Sequence, residues 1–184
     1  MRTPKLFFII IFILIGLKNN AQELKLNKEK SVLNWTGKAA SSSYSLTGTL
    51  KPRIGVLKIE GNTITSLKVI IDMKSLYHEN EDLKKHLRGE DFFEVKSFTE
   101  ASFEILVPVK TENTKANITG EMTIKDITKK EVIDIAIIEN KISFECKINR
   151  TQYGVKFNSP SFFKKMKENA IADEFIIKGE LFFE

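Results

Sequence analysis

The sequence predicts an all-β domain whose long antiparallel strands either close into a barrel or pack as a two-sheet sandwich. Three observations carry that expectation. Apolar and polar residues alternate at period two along most of the chain, several alternating runs are about ten residues long, and only two segments read as helices. Alternation says that each strand has one dry face. Strand length favours the barrel, because ten residues at about 3.4 Å each are long for a sandwich of this size. Eight strands also make the smallest barrel with room for one small ligand.

The elements follow in order. Arg2 and Lys5 precede the apolar run Leu6–Leu17, and Lys18-Asn19-Asn20-Ala21 leads into Gln22. This reads as a signal peptide over 1–21, cleaved near Ala21, with the folded domain over 22–184 placed in the periplasm or secreted. The apolar run is too short to span a bilayer comfortably. Leu33 and Trp35 then alternate with Val32, Asn34 and Thr36; Tyr44–Leu50 and Ile54–Ile59 are two further strands before a turn at Gly61-Asn62. Thr65, Leu67, Val69, Ile71 and Met73 share a face, as do Thr99, Ala101, Phe103, Ile105 and Val107. Ile118, Gly120, Met122 and Ile124 repeat the pattern, and 131–138, 141–150 and 174–183 complete a set of eight or nine strands, with a tight turn at Glu139-Asn140.

Two short helices interrupt the strands. Glu81–Arg88 has Asn80 as its cap, acids first and bases last, and Gly89 past its end. Pro160–Asn169 has Ser159 as its cap and Pro160 at the first helical position. Its face of Phe162, Phe163 and Met166, flanked by Lys164, Lys165 and Lys167, suits a short helix capping a core first, and a lid in transient contact with a membrane second.

Composition narrows the function. With 42% hydrophobic and 29% charged residues the 184-residue chain is not disordered, and nine Gly and four Pro exclude collagen-like or mucin-like character. One Cys excludes an internal disulfide and any multi-cysteine metal site. Fourteen Phe against one Trp and three Tyr suit a lipid-like interior better than a sugar-stacking groove. The formal charge is +5, but loss of Arg2, Lys5 and Lys18 with the leader leaves 26 basic against 24 acidic residues. No clustered basic stripe with interleaved aromatics remains, so no nucleic-acid partner is predicted.

Candidates for chemistry are few. His78, Asp82 and His86 stand at metal-ligand spacing on a continuous helix, but Asn80 as the helix start puts His78 off that face. No metal or other cofactor is predicted. Cys146 shares a face with Ile142, Phe144 and Ile148 and reads as a small hydrophobe rather than a nucleophile. No Gly-x-Ser-x-Gly elbow or triad spacing occurs, and the three Asn-x-Thr sequons fall on strands. The residues describe an exported β-domain with an interior of Phe, Leu and Ile and without a catalytic constellation, so no enzyme is predicted.

One stretch resembles a known family. Asn80-Glu-Asp-Leu-Lys-Lys-His-Leu-Arg-Gly-Glu-Asp-Phe-Phe-Glu-Val-Lys-Ser-Phe98 is similar to the signature of YceI-like proteins, a short helix with His-Leu followed by Asp-Phe-Phe-Asp-Val. Ile118–Lys130 resembles that family's Gly-x-Leu-Thr-Ile-x-Gly-Val-Thr-Lys hairpin, with Asp126 in place of its Gly, and Ile148–Val155 resembles its Arg-x-x-Phe/Tyr-Gly element. Asp173-Glu174 opens a last strand as in the family, while Lys30-Ser31 and Ser43-Tyr44 replace its N-terminal His-Ser and His-x-Gly. The resemblance implies an eight-stranded, antiparallel, lipocalin-like barrel that is exported and holds an isoprenoid or other amphiphilic lipid. The competing expectations are an envelope stress or interaction protein with a filled barrel, and a metal-dependent envelope enzyme.

Alternation assigns twelve interior residues: Trp35, Leu67, Val69, Phe103, Ile105, Met122, Ile124, Phe144, Ile148, Phe175, Ile177 and Leu181. His86, Asp91, Arg150, Tyr153, Phe162, Phe163 and Lys164 are candidate contacts at the mouth. Arg150 and Asp91 suit loop anchoring as well, and Phe92 and Phe93 suit a core plug.

Overall fold

The computed structural model describes residues 22–163 and 170–184, so the proposed leader over 1–21 lies outside the described residues. Ten strands and one α-helix are present in it: β1 (Gln22–Lys25), β2 (Val32–Ala39), β3 (Ser45–Glu60), β4 (Thr63–Tyr77), α1 (Glu81–Arg88), β5 (Glu100–Ile105), β6 (Val109–Lys110), β7 (Lys115–Ile124), β8 (Ile127–Ile138), β9 (Lys141–Asn149) and β10 (Ile171–Phe182). Eight of them close a ring of antiparallel neighbours in the order β3-β2-β10-β9-β8-β7-β5-β4 and back to β3. Closure leaves the ring no open edge. The fold is therefore the closed eight-stranded barrel, and the sandwich is excluded.

The two extra strands are short additions. β6 pairs with the start of β4, and β1 pairs with the second half of β3 while Leu26 bridges to Phe183. β1 thus continues the wall that β2 forms against the first half of β3.

Three local features depart from the alternation. Tyr44–Leu50 and Ile54–Ile59 are one strand, β3, running through buried Pro52, and the ladder to β4 shifts register between Pro52 and Ile54. Proline offers no ladder donor, and the bulge absorbs it while switching the inward set from Leu46, Gly48 and Leu50 to Gly55 and Leu57. That switch leaves Ile54 exposed. Second, β8 and β9 pair only between Ile135–Ile138 and Lys141–Phe144. Beyond that point a 3-10 turn over Arg150–Tyr153 lies against β8, with Tyr153 fully buried and donating from its hydroxyl to Glu131 Oε1 at 2.7 Å. Third, of the second expected helix, Ser159–Phe163 forms a turn, with Phe163 N–H donating to the Ser159 carbonyl; the rest, including Lys164 and Met166, lies outside the described residues.

Helix α1 forms as its sequence dictates. Leu83 N–H donates to the Asn80 side chain at 2.9 Å, Glu81 and Asp82 occupy the first turn, and Lys85, His86 and Arg88 the last. Its residues Leu83 and Leu87 turn toward one end of the barrel. At the opposite end Leu24, Leu57, Ile64 and Phe183 are buried and lie clear of the lumen, forming a solid floor.

Candidate functional site

Above that floor the barrel holds a cavity of about 330 Å³, lined almost wholly by apolar side chains. This lies within the ~300–1,000 Å³ range of small-molecule sites. Leu33, Ile142 and Leu181 lie at its deep end; Leu83, Leu87, Phe92 and Phe93 line it from the α1 side. Lys38, Tyr44 and Glu174, all exposed, mark where it meets solvent.

The space exists because three large aromatic rings lie flat along the wall. Trp35 pairs with Gly48 and Phe144 with Gly179, while Phe103 reaches diagonally over Gly120. A Cβ added at any of these glycines would approach its ring closer than 3.0 Å. Gly48 also leaves room for the Tyr77 carbonyl, which accepts from Trp35 Nε1 at 3.2 Å. Inward-facing glycines thus let rings fold sideways onto neighbouring strands instead of across the lumen.

Of the twelve interior residues read from alternation, eleven line this cavity: Trp35, Leu67, Val69, Phe103, Met122, Ile124, Phe144, Ile148, Phe175, Ile177 and Leu181. Ile105 does not. It is half-buried against the core, and the Phe103 ring lies over Gly120, the partner of Ile105, and forms the wall there.

The mouth assignments need more correction. Arg150 lines the cavity, nearly fully buried, and donates to the carbonyls of Ala172, Val155 and Ile171. Burial pulls its guanidinium below the usual range, opposed by Asp173, whose carboxylate stands 4.0 Å away. Tyr153 is not at the mouth; it wedges the seam between β8 and β9. His86 lies outside the cavity, its ring edge-on to Phe92 and Phe157 and its Nε2 buried without a partner among the described residues. Asp91 is exposed and off the cavity, whereas its neighbours Phe92 and Phe93 line it. Phe162 and Phe163 are exposed and do not line it, with Phe162 lying over Lys156 Nζ. Lys164 lies outside the described residues.

Sequence reasoning missed Leu83 and Leu87 as cavity residues, although their i, i+4 spacing on α1 marks one apolar face. Cys146 also lines the cavity; burial, with the charge of Glu131 next, pushes its thiol up to about 12. A protonated thiol there is a wall atom and not a nucleophile. His78 is buried against Trp35 and accepts from Asn80 N–H at its Nδ1, apart from exposed Asp82. Among the described residues no group of three His, Cys, Asp or Glu is placed to hold a metal ion.

Known proteins share both the sequence pattern and the fold. The UPF0312 protein of Pseudomonas putida strain W619 is 30% identical over 114 residues, 59% of this chain and 58% of that protein. That of Staphylococcus epidermidis is 30% identical over 110 residues, 53% of this chain and 61% of that protein. The chain therefore spans under two thirds of these relatives. Among solved structures, Burkholderia cenocepacia BcnA superposes with a TM-score of 0.69 at 20% identity, covering 85% of this chain and 98% of BcnA. A polyisoprenoid binding domain from Saccharophagus degradans gives 0.60 at 12% identity, covering 88% and 97%. The YCEI protein of Campylobacter jejuni gives 0.56 at 23%, covering 71% and 80%. At such identities the likeness is one of fold. The family profile of the YceI-like domain matches residues 24–183, nearly the whole barrel, and the chain belongs to the YceI-like domain family.

Proposed function

We propose that this chain is an exported, non-catalytic binding protein that sequesters or carries an isoprenoid or similar amphiphilic lipid inside its barrel. The observation that carries the proposal is the apolar cavity of about 330 Å³ within a closed wall. A barrel filled by its own side chains would leave no such space. The polyisoprenoid binding domain of Saccharophagus degradans, of the same fold, supports the lipid assignment.

The physics sets what such a site can select. From water, each buried methylene contributes about 0.8 kcal/mol, so a long tail would nominally reach the ceiling of roughly 18–21 kcal/mol for any complex. In a cell the competitor is a bilayer where the tail is already dry, and transfer of the tail is nearly neutral. Discrimination then falls to shape and to the polar groups at the mouth.

Export rests on the leader pattern over 1–21, with periplasmic or secreted placement as its consequence; Gln22, the first residue after the expected cleavage, is already paired with Ile59. Exposed Tyr44, Phe162 and Phe163, with Lys156 Nζ over the Phe162 ring, support brief contact with a membrane during loading. Organic extraction of protein purified without added lipid, followed by mass spectrometry, tests the central claim. A stoichiometric amphiphile is expected, and protein that yields none and takes up no apolar probe refutes it.

A further inference from the structure

Arg150 is the one deeply buried cation of the cavity wall among the described residues, 3% exposed where the surrounding lining is apolar. A guanidinium offers five N–H donors in a fixed fork. Three bonds are made: Nε to the Ala172 carbonyl at 3.0 Å, Nη1 to Val155 at 2.9 Å and Nη2 to Ile171 at 2.9 Å. One N–H on each terminal nitrogen is left over. All three acceptors are neutral carbonyls, which satisfy donors without cancelling charge.

The counter-charge is weak. Among the described residues only Asp173 comes within salt-bridge range, at 4.0 Å from Nη2, and its two oxygens already accept from Ser159 Oγ and Ser161 Oγ. The Phe92 ring lies 5.9 Å from the guanidinium carbon, so part of its surroundings is aromatic. A buried cation so incompletely paired makes a positive site that water screens poorly. Anchoring the bulge of β10 at Ile171 and Ala172 needs the donors of this side chain; it does not need an incompletely cancelled charge on the wall of a cavity.

Resting on the lipid-binding reading above, we propose that the cavity selects amphiphiles whose head is an anionic oxygen group, a carboxylate or a phosphate, received by Arg150 with the tail running toward Leu33, Ile142 and Leu181. The six residue steps from Ile148 to Ile142 along β9 give the tail roughly 20 Å of strand to follow at ~3.3 Å per residue. Bidentate recognition of such a head by a guanidinium is its strongest pairing mode. Exposed Glu174 at the rim is a like charge to the guest, but it is hydrated and lies outside the buried position of Arg150.

The test uses the full chain, stripped of lipid, with N-phenyl-1-naphthylamine as the fluorescent occupant at pH 7. Dodecanoate, dodecyl phosphate, dodecanol and dodecylamine compete below their micelle concentrations. At least one of the two anions is expected to displace the probe at tenfold or more lower concentration than dodecanol, and dodecylamine no better than dodecanol; the two anion arms separate carboxylate from phosphate. Dodecanol or dodecylamine matching both anions overturns the head-group assignment while leaving the lipid barrel standing. Failure of the probe and every competitor to bind overturns both. Arg150→Gln is expected to bring the anion-to-alcohol ratio near one, and Asp173→Asn to raise the ratio. An unchanged ratio in folded Arg150→Gln, checked by circular dichroism, also overturns the proposal; if that variant does not fold, the head-group series on the unmodified chain decides.

Discussion

Phe144 of β9 and Gly179 of β10 are Cα partners across an antiparallel ladder, and the ring of the first occupies the space where a side chain on the second would stand. The atoms crowding a Cβ at Gly179 all belong to side chains, Phe144 and Leu33, whereas at Gly48 and Gly120 backbone carbonyls also stand in the way. Gly179→Ala is therefore the substitution that moves a ring without breaking the wall. The Phe144 ring is expected to swing into the lumen, weakening binding of an apolar probe at least fivefold at a stability cost of about 1–3 kcal/mol from overpacking. Fluorescence titration and urea unfolding of the same sample measure both. Unchanged probe affinity would show that the lumen is not the binding site.

Alkaline pH is expected to unfold the chain sooner than its surface charge alone requires. Burial, and then the hydrogen bond to the Glu131 carboxylate, pushes the Tyr153 phenol well up from its ordinary 10.0, and burial takes the Cys146 thiol from 9.0 to about 12. Both stay protonated in the folded chain where the unfolded chain ionises. The unfolded state then binds fewer protons, so stability is intact below about pH 9 and falls as pH rises toward 12. Urea midpoints between pH 8 and 11 check this, and Tyr153→Phe and Cys146→Ala are each expected to flatten the decline by up to one proton.

The β7–β8 turn carries a removable cost. Ile124 and Ile127 are paired, so Lys125 and Asp126 form a two-residue loop, and both have positive φ, +50° and +56°. Such a loop favours Gly at its second position. Asp126→Gly is expected to stabilise the chain by about 0.5–1 kcal/mol without altering probe affinity. A lower unfolding midpoint would refute the reading of this turn.

Helix α1 closes one side of the cavity with Leu83 and Leu87, and its first turn depends on the Asn80 cap. Asn80→Ala is expected to weaken the helix by about 1 kcal/mol. Because Asn80 does not itself line the cavity, the effect should fall on rates: stopped-flow loading and release of the probe both accelerate several-fold while the equilibrium affinity moves less than twofold. Equal slowing of both, or a large affinity change alone, would place the entrance elsewhere.

Much of this molecule was legible in its residues, for identifiable reasons. The α1 boundaries followed from Asn80, the ordered acids and bases, and Gly89, all local signals. Eleven cavity residues followed from alternation because a strand in a closed wall has one inner face. What failed was long-range or too short to show a period. Pro52 read as a strand break because the bulge that accommodates it is set by pairing with β4. β1 offers a single apolar residue, Leu24, and β6 only two residues, too few to alternate. Tyr153 lies next to a strand end, and nothing in its neighbours says that the chain turns outward there to fill the gap left by β8 and β9. For His86, Asp91, Phe162 and Phe163, proximity along the chain to an end of the barrel did not specify which way each side chain turns.

The three glycine–aromatic pairs also set an asymmetry on how this protein can change. At Gly48, Gly120 and Gly179 any side chain is larger than the one present, so mutation there only narrows the hollow. Broader appetite has to come from trimming the bulky liners, Met73 or Met122 among them. Choosiness and permissiveness are thus written at different positions of the same wall.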